Sequence, residues 1–124
     1  MRGKRGTVLS GAGISTESGI PDYRGASSKE RTGRPMFYRE FMGSPEARAR
    51  YWARSMVGWP RMSVVKPNAG HRALAVLEAA GAIHGIITQN VDGLHQAAGS
   101  IQVLELHGAL AEVRCTECGG FEPR

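Results

Sequence analysis

Asn90 and Asp92 stand two residues apart, directly after the apolar run Ile83 to Ile87. A carboxylate there can accept from the NH2 of a carboxamide. The carboxyl end of a strand is also where open α/β sheets bind their ligands. The same two residues equally serve turn formation, because Asn and Asp cap helices and shape loops. His107 follows a second apolar run and precedes Gly108, and histidine suits general-base work near neutral pH. Taken singly, each of the four histidines (His71, His84, His95 and His107) reads equally as a capping or surface residue. Gly11-Ala12-Gly13-Ile14-Ser15-Thr16 follows the β-prone run Thr7 to Ser10. A glycine turn lets the backbone approach a pyrophosphate, and a following helix start offers unpaired N–H groups. A dehydrogenase fingerprint would have Gly or Ala in place of Thr16 and an acidic residue about 20 positions on. Thr16 departs from the first requirement, and the distance for the second falls in the Arg/Gly/Pro loop and not at the end of a second strand. A plain tight turn explains the glycines alone as well.

Cys115 and Cys118 are followed by Gly119-Gly120. Two thiolates at this spacing can grip one Zn²⁺, with glycine accommodating the sharp turn behind the second ligand. A redox pair would open a helix, which Gly-Gly does not do. A closed structural zinc site takes four ligands, and this pair supplies two.

The elements that must position these residues can be read from pattern. Thr7 to Ser10 forms a strand and Ser15 to Gly19 a short helical turn. Pro21 to Pro35, rich in Gly, Ser, Arg and Pro without periodicity, forms a long loop, and loops of that length in compact domains are usually functional. Helical signals resume after Arg34, with Phe37, Phe41 and Met42 on one face. Ser44-Pro45-Glu46 starts a helix that runs toward Trp59-Pro60, with Ser44 as N-cap. Another helix begins after Pro67-Asn68, with Ala73, Leu74, Leu77 and Ala80 as its buried stripe and Gly81 as its stop. Ala82 to Thr88 is a strand, Val91 to Ala98 a short helix and Gln102 to Leu106 a further strand. The alternation implies α/β architecture with a parallel sheet.

With 124 residues there is room for one domain. No run approaches the ~18 apolar residues of a membrane span. The basic start, Met1 to Arg5, has no apolar segment behind it, so no secretory signal is expected and the default location is cytoplasmic. The net charge is +5, concentrated between Arg24 and Arg72, where eleven Lys or Arg face three acids. That balance suits an anionic ligand or a plain solvated face. No reader motif or aromatic platform accompanies it, so nucleic acid is not expected.

Gly11 to Arg24 resembles the signature of the sirtuins, the NAD-dependent protein deacylases, almost residue for residue. Three further matches follow in family order: Pro67-Asn68-Ala69-Gly70-His71-Arg72-Ala73-Leu74, Thr88-Gln89-Asn90-Val91-Asp92-Gly93-Leu94-His95 and Glu105-Leu106-His107-Gly108. The resemblance spans nearly the whole chain. It implies a partial Rossmann-like parallel sheet with flanking helices, a long cofactor-binding loop and the start of a zinc-binding module. Residues 1–20 and 82–112 would form the Rossmann-like part, 21–81 the cofactor loop and helical insertion, and 113–124 the first half of the zinc module.

The resemblance also implies roles. Gly11, Ala12, Gly13, Ser15, Thr16, Ile20, Pro21, Asp22, Tyr23, Arg24, Gln89, Asn90, Val91, Asp92 and His107 would contact NAD. Asp92 would hold the nicotinamide carboxamide, Asn90 would orient the ribose, and His107 would be the base acting on the ribose hydroxyls. The acyl oxygen of an acylated lysine would attack the ribose carbon as nicotinamide leaves, passing the acyl group to ADP-ribose. Tyr23 departs mildly from the Phe common at its position. His71 and His95 are read as structural. Cys115 and Cys118 would hold Zn, with the family's second cysteine pair lying beyond Arg124. Tyr51-Trp52-Ala53-Arg54 and Met56-Val57-Gly58-Trp59-Pro60 are similar to class II members. Tyr51 and Arg54, three apart on a helix, share a face, which suits either an acidic acyl group or an ordinary amphipathic helix. Mono-ADP-ribosyl transfer to protein is the alternative activity. A chain ending before the fold is complete, binding NAD without catalysis, is the alternative of another class. The sequence is silent on oligomeric state.

Overall fold

A computed structural model describes residues 5–23, 25 and 34–124. Its centre is a three-stranded parallel sheet in the order β1 (Gly6–Ser10), β2 (Ile83–Thr88), β3 (Val103–Glu105). Val8 lies beside Ile86, and Ile86 beside Val103. β1 runs into a 3-10 turn (Ala12–Ser18), and the crossover to β2 carries α1 (Tyr38–Gly43), α2 (Pro45–Met62) and α3 (Ala69–Ala79). The crossover from β2 to β3 carries α4 (Leu94–Ala97). β4 (Glu112–Arg114) and β5 (Phe121–Pro123) form a separate antiparallel hairpin. The expected α/β architecture with a parallel sheet is what forms.

Close packing of β2 on β3 explains a glycine inside a strand. A Cβ on Gly85 would stand 2.5 Å from the carbonyl oxygen of Gln102. That same oxygen accepts the Ile86 N–H at 2.8 Å. A larger residue would force the strand pair apart.

Side-chain caps set the helix starts, at Ser44 as the sequence predicts and at Asn68 in addition. Ser44 Oγ accepts the Ala47 N–H at 3.1 Å, with Pro45 in the first turn. α2 runs past Trp59-Pro60 to Met62, further than the sequence reading placed it. Pro60 forfeits only its own N–H, and the Ser63 N–H still reaches the Trp59 carbonyl at 2.8 Å. Asn68 Oδ1 accepts from Gly70 and His71, while His71 Nδ1 accepts the Asn68 N–H at 3.3 Å. A side-chain cap of this kind contributes about 1 kcal/mol. Asn68 Nδ2 also donates to the Ile14 carbonyl at 2.7 Å, tying the start of α3 to the turn after β1.

Two sequence expectations change. The helix expected over Val91 to Ala98 is the short α4, because Asp92 Oδ1 takes the Leu94 N–H at 3.0 Å and Gly93 adopts φ 69°, leaving Val91 to Gly93 as a loop. The stripe expected to be buried on α3 is not: Leu74 is half-buried, while Ala73, Leu77 and Ala80 are exposed. Amphipathic spacing specifies a face that can be covered, and no described element lies over this one.

The hairpin is anchored to α2. Arg124 donates its backbone N–H to the Ala111 carbonyl at 2.9 Å, and its guanidinium lies 4.9 Å over the Trp59 ring and bonds Ser55 Oγ. Arg114 lies 5.1 Å over the Phe121 ring of the same hairpin.

Candidate functional site

In a parallel sheet the carboxyl ends of all strands meet at one edge. That edge here carries Gly11 to Ser15 after β1, Gln89 to Asp92 after β2, and Leu106 to Gly108 after β3. Backbone bonds lace the three ends together. The Gln89 N–H reaches the Ser10 carbonyl at 3.0 Å, Leu106 reaches Thr88 at 2.9 Å, and Leu110 reaches Val91 at 2.8 Å.

Beneath this edge lies a cluster of polar side chains that is unusual for an interior. Among the described residues the buried apolar side chains are Ala47, Ile86 and Leu94, whereas Ser10, Ser15, His71, Thr88, Asn90 and His95 are buried at this edge; Ser100, ahead of β3, is buried apart from them. Burial of so many polar groups is sustained only by hydrogen bonding. Ser15 is its hub: its hydroxyl donates to Asp92 Oδ2 at 2.7 Å, accepts from Asn90 Nδ2 at 3.1 Å and lies 3.5 Å from His71 Nε2. Asn90 Nδ2 also donates to the Gly11 carbonyl at 3.2 Å. A second chain of bonds runs from His95 Nε2 to Ser10 Oγ at 2.8 Å, and from Ser10 Oγ to Thr88 Oγ1 at 2.8 Å. Thr88 Oγ1 accepts the Asn90 N–H at 3.1 Å. The rings of His71 and His95 meet edge to face, 4.9 Å between centroids.

Burial pushes both histidines below their ordinary value of 6.5. For His71 the carboxylate of Asp92 works the other way, and for His95 the neighbouring His71 adds to the lowering. A folded-state value below the unfolded one means that the unfolded chain takes up protons first. The stabilisation is therefore complete above about pH 6.5 and is lost as the pH falls below it. Thermal denaturation at stepped pH should show a midpoint that declines on acidification below about pH 6.5, with a shallower decline in His95→Gln.

The glycine turn has an uncommon property. A Cβ built on Gly11 or Gly13 meets nothing within 4 Å, and Gly11 is extended at φ −147°. The chain's own packing therefore does not require glycine at either place. The open space lies beside Asn90 and Ser15, where a ligand's phosphates could approach the backbone. Thr16 Oγ1 donates to the Gly13 carbonyl at 2.9 Å, and the Ile20 N–H to the Ser15 carbonyl at 3.2 Å, closing the turn.

The structure thus draws Gly11, Ser15, Asn90 and Asp92 into one network, with Ala12, Gly13, Thr16, Gln89 and Val91 on the same edge. His107 sits on the exposed turn after β3, at the same sheet edge but outside that network. Asp92 and Val91 line a cleft of about 310 Å³ with Trp59, Met62, Val65 and Leu110. Ile20, Pro21 and Asp22 lead away from the turn half-buried, Asp22 Oδ1 accepting the Gly25 N–H at 2.9 Å, and Tyr23 is exposed. Arg24 lies outside the described residues. Tyr51 packs edge-on to Phe41 at 5.1 Å and lines a second cavity with Phe37, Trp52 and Val113. Arg54, one turn along, donates instead to the Arg34 carbonyl at 3.3 Å, so the two do not meet on one cavity.

Cys115 and Cys118 are exposed on the turn between β4 and β5. The N–H groups of Cys118 and Glu117 hold the Cys115 thiol below its usual value, favouring the thiolate that binds metals. Gly119 provides the turn at φ 74°, and its N–H reaches the Cys115 carbonyl at 3.0 Å. Among the described residues no group of three or more potential metal ligands comes together. No described helix is long and apolar enough to cross a membrane.

Sequence reasoning missed Ser10 and Thr88. Their signal was available: a hydroxyl closes each of two otherwise apolar strands, at the edge where ligands bind. His71 and His95 are indeed core residues, but they are also part of the wiring behind Asp92.

A sequence model described as the Sir2 family matches residues 11–123. NAD-dependent protein deacetylase 3 of Pseudomonas syringae pv. tomato is 58% identical over 118 residues, covering 95% of this chain and 42% of that protein. NAD-dependent protein deacetylase 1 of Streptomyces coelicolor is 59% identical over 117 residues, covering 94% and 39%. The chain therefore spans about two fifths of the length of these relatives. Among solved structures, a complex of Sir2 with p53 peptide and NAD+ superposes with a TM-score of 0.82 at 39% identity, covering 98% of this chain and 48% of that one.

Proposed function

The chain belongs to the Sir2 family, and on that premise we propose that it forms the nicotinamide end of an NAD-dependent protein lysine deacylase. The observation that carries the proposal is the Ser15–Asn90–Asp92 network lying beneath an open glycine turn. NAD supplies a ribose carbon that becomes electrophilic as nicotinamide departs. Gly11 and Gly13 leave space for the phosphates, and Asn90 orients the adjoining ribose. Asp92, held through Oδ2 by the Ser15 hydroxyl and through Oδ1 by the Leu94 N–H, offers its remaining lone pairs to the carboxamide NH2. His107, on its exposed turn, takes the proton from a ribose hydroxyl. Ala12, Thr16, Ile20, Pro21, Asp22, Tyr23, Arg24, Gln89 and Val91 complete the cofactor contacts in this reading. The acyl-lysine belongs to a protein substrate.

Two finer assignments go with it. Cys115 and Cys118 fit half of a zinc site, supported by the backbone N–H groups that favour the Cys115 thiolate. Four thiolate ligands complete such a site, and zinc there would brace the hairpin rather than take part in the chemistry. Tyr51 is assigned to acyl selection, since it lies in an aromatic cavity of about 360 Å³, large enough for a group beyond acetyl; Arg54, turned to the Arg34 carbonyl, is left out of that assignment. Cytoplasmic location accords with both assignments.

The activity is tested by incubating the protein with NAD labelled in the adenosine and an acylated-lysine peptide. Deacylation releases nicotinamide in step with loss of the acyl group, and the label leaves as a small molecule. Label retained on protein would assign mono-ADP-ribosyl transfer instead. A second prediction isolates the glycine turn. Gly13→Ala should leave the thermal midpoint within a few degrees of the parent, because its Cβ meets no protein atom. The same change should weaken NAD about tenfold by occupying the space of the phosphates, as read by titration calorimetry.

A further inference from the structure

The protons of Ser10, Ser15, His71 and His95 in the buried network can be assigned from their partners. Ser10 Oγ has one proton, which goes to Thr88 Oγ1 at 2.8 Å. The His95 Nε2 that faces Ser10 Oγ at 2.8 Å must therefore be a donor. Thr88 Oγ1 also accepts the Asn90 N–H at 3.1 Å. Ser15 likewise spends its proton on Asp92 Oδ2 and accepts from Asn90 Nδ2. His71 Nε2, 3.5 Å from Ser15 Oγ, is then also the protonated nitrogen, while its Nδ1 accepts the Asn68 N–H. Both imidazoles are neutral with the proton on Nε2. The Nδ1 of His95 is buried with no partner among the described residues. A second proton there would leave a buried charge with nothing to accept from it. The titratable groups facing His95 are His71 on α3 and Asp92 in the loop before α4.

The geometry points to His95 as a positioning residue for the nicotinamide end, acting through Ser10 and Thr88 on the backbone of Asn90. The inference rests on the NAD reading above and deepens it. His95 touches no reacting atom. It fixes the orientation of the Ser10 hydroxyl, which fixes the Thr88 lone pair that receives the Asn90 N–H. The placement of Asn90 in turn decides whether its amide reaches both Gly11 and Ser15, and hence where Asp92 presents its carboxylate. A histidine kept only to fill space would be replaceable by any side chain of its volume. One that supplies a directed donor is replaceable only by another donor at the Nε2 position, which glutamine provides and leucine does not.

The test uses the whole chain, titrated with ADP-ribose alone and then, once saturated with ADP-ribose, with nicotinamide. His95→Leu is expected to weaken nicotinamide about tenfold, the scale of one lost directed hydrogen bond, and ADP-ribose, whose ribose Asn90 also orients, by no more than about threefold. His95→Gln should recover nicotinamide binding to within about threefold of the parent. Equal weakening of both ligands, no weakening of either, or a glutamine variant as weak as leucine would overturn the assignment. Parent protein that binds neither ligand would instead show that the NAD reading itself has failed, and the inference would fall with it. If His95→Leu does not fold, long-range ¹H–¹⁵N spectra of the parent decide the matter. His71 and His95 are both expected as the Nε2–H form, and an Nδ1–H form of His95 would refute the proposal.

Discussion

Asp92→Asn is expected to weaken NAD by about 10- to 100-fold while ADP-ribose binds nearly as before, because a hydrogen bond to a charged acceptor is worth roughly 1.5–3 kcal/mol. The asymmetry follows from where the carboxylate is held. Oδ2 is engaged by the Ser15 hydroxyl at 2.7 Å and Oδ1 by the Leu94 N–H at 3.0 Å. Asp92 is half-buried, and every side chain joined to it through Ser15 is neutral. An amide in its place still satisfies Leu94 through its oxygen. Its NH2 meets a Ser15 oxygen that already accepts from Asn90, and the acceptor offered to the ligand is lost. In the proposed binding mode the phosphates approach the glycine turn and not Asp92, so the part of the ligand without nicotinamide should be little affected. Paired calorimetric titrations with the two ligands would read the split directly.

His107→Ala should produce the opposite pattern, with acyl transfer reduced about 10²- to 10⁴-fold, the usual worth of a positioned general base, and NAD affinity held within about threefold. His107 is exposed and lies outside the buried network, so its removal opens no cavity and leaves no buried donor unpaired. The turn that carries it is fixed by other groups: the Leu106 N–H on Thr88, the Leu110 N–H on Val91 and Gly108 at φ 76°. Single-turnover measurement of acyl loss, alongside NAD titration, separates the two effects. A variant that lost NAD binding in proportion to rate would move His107 from base to binding residue.

Much of this was legible in the residues. Ser44 before Pro45 names its cap, because a short polar side chain just ahead of a helix has one strongly favourable use there, and Pro67-Asn68 marks where α3 begins. The apolar runs ending in Ser10 and Thr88 gave two parallel strands, and their carboxyl ends gave the edge on which Gly11, Asn90 and Asp92 meet. What spacing could not give was depth. His71 and His95 were legible as structural, yet their contact across the sheet edge depends on α3 and α4 converging, and the two are separated by 24 positions in the chain. The exposed face of α3 was misjudged for the same reason, since an amphipathic stripe records what a face is suited to and not what covers it. The start of α4 at Leu94 was hidden as well. A side-chain bond from Asp92, and not the hydropathy pattern, decides where α4 begins.

The central claim is that Ser15, Asn90 and Asp92 bind the nicotinamide end of NAD. The most direct test is a ¹H–¹⁵N correlation spectrum of the folded chain titrated with NAD. The account predicts saturable shifts centred on the amides of Gly13, Ser15, Asn90, Val91 and Asp92, including the Asn90 side-chain amide. It also predicts that ADP-ribose will reproduce the shifts at the glycine turn but not those at Val91 and Asp92. Shifts confined to other surfaces, or an unchanged spectrum from a folded chain at saturating NAD, would contradict it.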